Sequence, residues 1–230
     1  MEPASLSATD LACRRGERLL FRGLSFALQP GEALQIAGPN GTGKSSLLRI
    51  LAGLLRPWAG TVGRTGEVAL LDERLALDGD LPLGKALQFW ERVDGIDFGA
   101  HPATPLTGGE GPGVGVPTLP EAPNTPTLPS PFRGRENAVE DLGLAGLLDV
   151  PVRFLSTGQR KRAAILMSNA RGAGLWLLDE PLNGLDAQAG ASFQRQVADY
   201  LSRGGIAVVA SHQPFDVPGM RRLELADYAP

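Results

Sequence analysis

The stretch "EALQIAGPNGTGKSSLLRILAGLL", residues 32–55, decides the fold of this chain. A short apolar segment precedes a glycine-rich turn, which is followed by leucines at helical spacing: Leu47, Leu48, Leu51, Leu54 and Leu55. This order predicts a strand, a loop and a helix. Residues 38–45, GPNGTGKS, fit the pattern G-x-x-x-x-G-K-[ST] in that strand-to-helix context. The segment therefore predicts a phosphate-binding loop.

The chemistry of such a loop indicates which residues bind the nucleotide. Glycines let successive N–H groups turn toward phosphate oxygens, and the helix N-terminus adds a partial positive charge. Lys44 would reach the β and γ phosphates, and the Ser45 hydroxyl would ligate Mg²⁺. The predicted nucleotide-binding residues are Gly38, Pro39, Asn40, Gly41, Thr42, Gly43, Lys44, Ser45 and Ser46.

A second strand with acidic residues at its end is predicted at "LWLLDEP", residues 175–181. Continuous apolar residues are typical of a buried parallel strand, and ligands of open parallel sheets bind beyond the carboxyl ends of the strands. We expect Asp179 to be a direct or indirect partner of Mg²⁺ and Glu180 to be the general base that polarises the attacking water. The alternative for this pair is a helix cap.

A third strand is predicted in "GIAVVASHQP", residues 205–214, which ends at Ser211 and His212. If this strand lies in the same sheet as the other two, His212 would face the γ-phosphate and take part in catalysis. Its alternative is a polar loop residue.

The segment "LSTGQRKRAA", residues 155–164, predicts a second anion site at the start of an amphipathic helix. The side chain of Ser156 or Thr157 and the backbone of Gly158 would face the anion. Because one chain does not easily fold both sites onto one triphosphate, two chains arranged head to tail would each complete the other's site. The alternative is that Ser156 is a plain helix N-cap.

Together these segments resemble the ATP-binding subunits of ABC transporters. GPNGTGKS is similar to the Walker A motif, LSTGQ to the signature, LWLLDEP to Walker B, LNGLD with Asp186 to the D-loop and SHQ to the switch histidine, all in the family's order. The resemblance implies an α/β fold: a P-loop NTPase (RecA-like) core with an inserted α-helical lobe, as a single domain over residues 1–230.

The same resemblance implies roles and partners. Lys44, Glu180 and His212 would be catalytic, Ser45 and Asp179 would hold Mg²⁺, and ATP would be the nucleotide. Two subunits would form an ATP-sandwich homodimer docked on an integral membrane permease, in which Ser156, Gly158, Gln159 and Asp186 help bind the nucleotide.

A narrower resemblance is to the haem-exporter ATPases of cytochrome c maturation. The runs at residues 16–60 and 80–90 carry it, and the likeness covers roughly residues 5–97 and 136–213. It implies a haem-exporting subunit at the cytoplasmic face of the inner membrane. Two alternatives stay open: a subunit of an ABC transporter for another small molecule, and a soluble ATP-dependent switch.

The sequence departs from the family where an aromatic residue usually stacks on adenine. Arg14 or Arg15 stands near that position, and a planar guanidinium can also stack on a base.

A second departure is at the Q-loop, where the family places a glutamine after the strand that EVALL predicts. Asp72, Glu73 or Arg74 occupies that region here. Gln88 is a rival, although its place in GKALQFW favours a surface position on a helix.

Composition limits the remaining alternatives. The formal net charge of −3 argues against nucleic acid as a partner, and Cys13 is the only cysteine, so no internal disulfide forms. Neither a secretory signal nor a membrane span is expected. Residues 99–135 are rich in proline and glycine and predict a disordered insertion within the helical lobe. A proline-rich docking segment is the alternative for that stretch.

Overall fold

The computed structural model describes residues 4–72, 77–94, 138–170 and 173–230. The predicted insertion at 99–135 and the Q-loop candidates Glu73 and Arg74 lie outside the described residues. The strands are β1 (Ser5–Arg15), β2 (Arg18–Leu28), β3 (Ala33–Ala37), β4 (Ala59–Thr65), β5 (Val68–Leu71), β6 (Leu175–Asp179), β7 (Ile206–Ala210) and β8 (Arg221–Glu224). The α-helices are α1 (Lys44–Leu51), α2 (Leu83–Asp94), α3 (Ala138–Asp141), α4 (Thr157–Ala170) and α5 (Ala187–Ser202).

A parallel sheet in the order β5-β6-β7-β3-β8 forms the centre of the fold. Every residue of β3, β6 and β7 is buried. Strands covered on both faces are continuously apolar because neither face meets water. The predicted strands and the α/β class are confirmed.

A second, antiparallel sheet in the order β2-β1-β4 packs over the first. Its buried side chains, Leu6, Leu11, Phe21, Leu24 and Leu28 among them, share one core with α1 and one face of the parallel sheet. The helix that follows the phosphate loop is therefore held between the two sheets.

Helix α1 is shorter than the leucine spacing predicts. It ends at Leu51, since Gly53 adopts a φ of 77° and the N–H groups of Leu54 and Leu55 both bond to the Arg49 carbonyl. Leu54 is 69% exposed. A left-handed glycine at this point turns the chain out of the helix, as helix C-termini commonly do.

The helical lobe is built from short elements between α2 and α4. Val139, Leu142, Leu144, Leu147 and Leu148 line its core together with α2. Their chain forms the short α3 and a separate 3₁₀ turn at Ala145–Leu147, because Gly143 adopts a φ of 63° between them.

Helix α4 is not amphipathic, contrary to the prediction. Residues 163–167 are all buried. Ala164 and Ile165 pack on the core beneath the parallel sheet, whereas Ala163, Leu166 and Met167 pack in the lobe. This part of the helix, wedged between two cores, is apolar all round rather than on one stripe, while the first half carries Arg160, Lys161 and Arg162.

Within the part of the chain that the structure describes, no helix combines the length and the apolar character that a membrane crossing requires.

Candidate functional site

The register of the parallel sheet brings three strand ends to one edge. Asp179 pairs with Ala210 and Ile36 also pairs with Ala210, so β3, β6 and β7 end side by side. The phosphate loop, the acidic pair and the histidine follow these ends directly. The expectation that these segments share one sheet edge is confirmed.

The loop after β3 has the backbone of a phosphate cradle. Gly38, Gly41 and Gly43 adopt φ values of 137°, 82° and 110°, a range that favours glycine. A Cβ at Gly43 would also lie 3.2 Å from Leu20, so the loop runs close to β2. The Thr42 hydroxyl donates to the Pro39 carbonyl at 2.9 Å and closes the turn. Together with the first N–H groups of α1, which have no partner within the helix, this backbone suits a triphosphate.

Lys44, Glu180 and His212 form a chain of polar contacts across the edge. Lys44 Nζ lies 3.6 Å from Glu180 Oε1 and donates to the carbonyls of Gly38 and Pro39 at 2.8 and 3.2 Å. The other carboxylate oxygen of Glu180, Oε2, lies 2.9 Å from His212 Nδ1. The side chains of Lys44 and Glu180 are 6% and 14% exposed, whereas that of His212 is 45% exposed. A carboxylate held between a buried ammonium and an imidazole is well placed to orient water.

The Glu180 backbone is held in an uncommon conformation. Its φ is 45°, a left-handed value that few residues other than glycine adopt, and Pro181 follows it. Its N–H donates to the Ala210 carbonyl at 2.8 Å. Such outliers cluster at functional sites because the surroundings must hold them in place.

The two residues predicted to bind Mg²⁺ differ in burial. Asp179 is buried at the end of β6, and Ser45 is exposed in the first turn of α1. A carboxylate and a hydroxyl beside a phosphate site match the donors that Mg²⁺ takes when substrate phosphates complete its shell.

Two residues behind the site were missed by the sequence reasoning. Buried Gln35 on β3 donates to the Gln213 carbonyl at 2.8 Å, and the Ser211 hydroxyl accepts from the Gln213 N–H at 3.0 Å. These bonds fix the turn that carries His212. A lone glutamine inside the apolar segment ALQIA was the available signal.

The start of α4 has the geometry of a capping box. The Gln159 N–H donates to Ser156 Oγ at 3.2 Å, and the Ser156 N–H donates to Gln159 Oε1 at 2.8 Å. Within this single chain, Ser156 is therefore a helix N-cap, which was the alternative interpretation of this segment. A contact of Ser156, Gly158 or Gln159 with the nucleotide of a second subunit stays a prediction.

The D-loop packs directly on the signature. A Cβ at Gly158 would lie 2.2 Å from the Gly184 carbonyl oxygen. Asp186 caps α5 by accepting from the Ala189 N–H at 2.8 Å, and its other oxygen lies 3.8 Å from Arg162 on α4. Gly158 and Asp186 thus have structural roles within one chain.

The two arginines near the expected adenine position have different interactions. The Arg14 guanidinium lies over the Trp58 ring, 4.4 Å from its centroid. The charge of Arg15 instead interacts electrostatically with the Cys13 thiol, which hydrogen-bonds to Ser46 in α1. Burial raises the pKa of Cys13, and the charge of Arg15 and the bond to Ser46 partly oppose that rise.

The two described Q-loop candidates lie on different parts of the chain. Asp72 lies 3.7 Å from Arg49 of α1. Gln88 is half-buried on α2 in the lobe.

Comparison with known proteins identifies a matching family and similar relatives. The family described as "ABC transporter" matches residues 21–183. A protein named "Cytochrome c biogenesis ATP-binding export protein CcmA" from Novosphingobium aromaticivorans is 48% identical over 230 residues, which is all of both chains. The protein of that name from Sphingopyxis alaskensis is 43% identical over 95% of each chain.

Solved structures share the fold. An ABC transporter ATP-binding protein from Pyrococcus furiosus superposes with a TM-score of 0.71 at 16% identity, covering 98% of this chain and all of the other. A metal-chelate type ABC transporter superposes with a TM-score of 0.63 at 24% identity, over 92% of this chain and 74% of that chain. At these identities the likeness concerns the fold alone.

Proposed function

Since the chain belongs to the ABC transporter family of ATP-binding proteins, we propose that it hydrolyses ATP for the haem exporter of c-type cytochrome biogenesis. The ATPase assignment rests on the Lys44–Glu180–His212 contacts at the ends of three parallel strands. The cytochrome c assignment rests on relatives of that name, which match 95–100% of the chain at 43–48% identity.

In this proposal the phosphate loop binds ATP through its N–H groups and Lys44. Ser45 and Asp179 would hold Mg²⁺, which supplies charge neutralisation at the phosphates. Glu180 polarises the attacking water, and His212 holds the carboxylate in position through Nδ1. Arg15 would be the better candidate to stack on the adenine base, because the Arg14 guanidinium is engaged with Trp58.

The proposal includes a second subunit and a membrane partner. Ser156, Gly158 and Gln159 of each subunit would meet the ATP bound by the other, and Asp186 would lie at the same interface. The dimer would dock on an integral permease at the cytoplasmic face of the inner membrane. A capping box leaves the remaining N–H groups of the first turn of α4 available to a phosphate.

The experiment is affinity capture of the full chain from membranes of its own host, followed by mass spectrometry and an absorbance spectrum for haem. We expect a small haem-handling membrane protein and an ATPase activity that Glu180→Gln abolishes. Recovery with an unrelated permease would contradict the haem assignment and leave the ATPase assignment intact. Recovery only in the soluble fraction would instead support an ATP-dependent switch.

A further inference from the structure

Lys161 is a buried lysine that the proposed reaction does not yet use. The chain contains three lysines: Lys44 in the phosphate loop, Lys85 on α2 and Lys161 on α4. Lys85 is exposed, whereas Lys44 and Lys161 are 6% and 8% exposed. An ammonium group is costly to bury unless polar partners replace its water. The partners of Lys161 are therefore informative.

One of those partners is the backbone at the end of β6. Lys161 Nζ donates to the Asp179 carbonyl oxygen at 3.0 Å. That carbonyl belongs to the peptide group joining Asp179 to Glu180. The N–H of the same peptide donates to the Ala210 carbonyl at 2.8 Å. Both polar groups of this peptide are thus fixed, one by α4 and the other by β7.

This peptide leads into the left-handed backbone of Glu180. With a φ of 45°, Glu180 presents one carboxylate oxygen to Lys44 Nζ at 3.6 Å and the other to His212 Nδ1 at 2.9 Å. An uncommon backbone conformation persists only where neighbouring groups determine it. A rotation of the 179–180 peptide would move the carboxylate away from both partners.

We propose that Lys161 is a positioning residue for ATP hydrolysis, acting through the Asp179–Glu180 peptide. This inference rests on the proposed ATPase function. Lys161 also links the signature to the general base, because it lies in the second turn of the helix that begins with the signature. The orientation of α4 is thereby connected to the orientation of the general base.

The test compares Lys161→Met with Lys85→Met in the full chain. Methionine has a similar length but neither charge nor N–H donor, and Lys85→Met makes the same change at an exposed position. For Lys161→Met we expect kcat to fall by at least about tenfold. We expect the Kd for ATP, measured in the absence of turnover, to change by less than about threefold, because Lys161 has no predicted contact with the nucleotide. Lys85→Met should stay within about twofold of wild type in both.

A conservative variant separates positioning from folding. Lys161→Arg keeps the charge and the donors, and we expect it to recover part of kcat. It also keeps the inference testable if Lys161→Met does not fold. A Lys161→Met chain with wild-type kcat would overturn the inference. So would a parallel loss of kcat and ATP affinity that arginine does not relieve, since that pattern indicates general destabilisation.

Failure of the proposed function gives a different pattern. If the wild-type chain, with its membrane partner, binds ATP but shows no ATP turnover that Glu180→Gln abolishes, the ATPase assignment is contradicted. The inference about Lys161 is then contradicted as well. Normal wild-type turnover, loss in Glu180→Gln and no effect of Lys161→Met would contradict the inference alone.

Discussion

Gly158 is held in close contact with the D-loop of its own chain. It lies at the start of α4, where the resemblance expects a contact with nucleotide, and its Cα faces the Gly184 carbonyl of the same chain. Any side chain there would collide with backbone rather than with a flexible side chain. The glycine therefore stabilises the fold of the single chain, independently of a second subunit.

We predict that Gly158→Ala destabilises the isolated chain by about 1–3 kcal/mol, because the D-loop must shift to accept the methyl group. Thermal or urea unfolding of the nucleotide-free protein measures this. Gly146→Ala is the control, since a Cβ there meets nothing within 4 Å. If the two variants were equally stable, the D-loop would move away from position 158 without loss of stability, and the prediction would be wrong.

At the scale of elements, the beginning of α5 depends on Asp186. The side chain caps the helix through the Ala189 N–H and lies near Arg162 of α4. The residue that the resemblance assigns to nucleotide binding thus also fixes how the D-loop enters α5.

We predict that Asp186→Ala lowers the free energy of unfolding by about 1 kcal/mol, whereas Asp186→Asn retains most of it, because asparagine also accepts the capping bond. Chemical denaturation of both variants is the measurement. If alanine and asparagine were equally destabilising, the loss would come from the Arg162 contact and not from the cap.

The far end of α5 is anchored by an aromatic pair. The Tyr200 ring stacks on Trp176 of β6 with centroids 4.0 Å apart, and its hydroxyl donates to the Ala173 carbonyl at 2.9 Å. A Cβ at Gly205 would lie 2.3 Å from the Tyr200 ring, so the turn before β7 requires glycine there. Burial raises the pKa of Tyr200 well above its ordinary value of 10.0.

This burial predicts an alkaline dependence of stability. Because the pKa of Tyr200 is raised in the folded state, its contribution to the free energy of unfolding is fully present below about pH 10. It is lost as the pH rises above that value, where the Tyr200 hydroxyl ionises in the unfolded chain. We expect Tyr200→Phe to be less stable than wild type by about 1–2 kcal/mol at pH 8. The difference should narrow by about 1.4 kcal/mol per pH unit above pH 10.

Urea unfolding of both proteins between pH 8 and 11.5 tests the Tyr200 prediction. Cys13 is present in both, so its own titration cancels in the comparison. A constant difference across this range would indicate that the Tyr200 hydroxyl reaches solvent.

At the scale of the whole molecule, one chain presents two segments that we propose bind phosphate: the phosphate loop before α1 and the start of α4. The first lies with Glu180 and His212 at one sheet edge. The second carries its own capping box and packs against Gly184. A head-to-tail dimer would use both.

We predict that ATP with Mg²⁺ dimerises the Glu180→Gln protein, because blocked hydrolysis traps the nucleotide between two subunits. Sedimentation velocity with and without ATP is the measurement, with the solubilised membrane partner added if the isolated subunits associate weakly. The double variant Lys44→Ala, Glu180→Gln should stay monomeric since it loses the phosphate contact. A Glu180→Gln protein that binds ATP normally and stays monomeric with its partner present would contradict the role of Ser156 across the dimer.

The sequence by itself determined the strands β3, β5, β6 and β7, the phosphate loop and the residues at the sheet edge. Each depends on neighbours in the chain: an apolar run that ends in Asp179 and Glu180, glycines that permit φ values above zero, a histidine after IAVVA. Parallel strands align their carboxyl ends, so these local signals also predicted that Lys44, Glu180 and His212 would meet.

Only the tertiary structure decided the features that join distant segments. It ended α1 before Leu54, buried α4 on both sides and placed Arg14 against Trp58. It also brought Lys161 to the Asp179 carbonyl and Gly158 to Gly184. These contacts arise from the packing of α4 against the parallel sheet, the lobe and the D-loop, and a local pattern of residues does not encode which distant surfaces will meet.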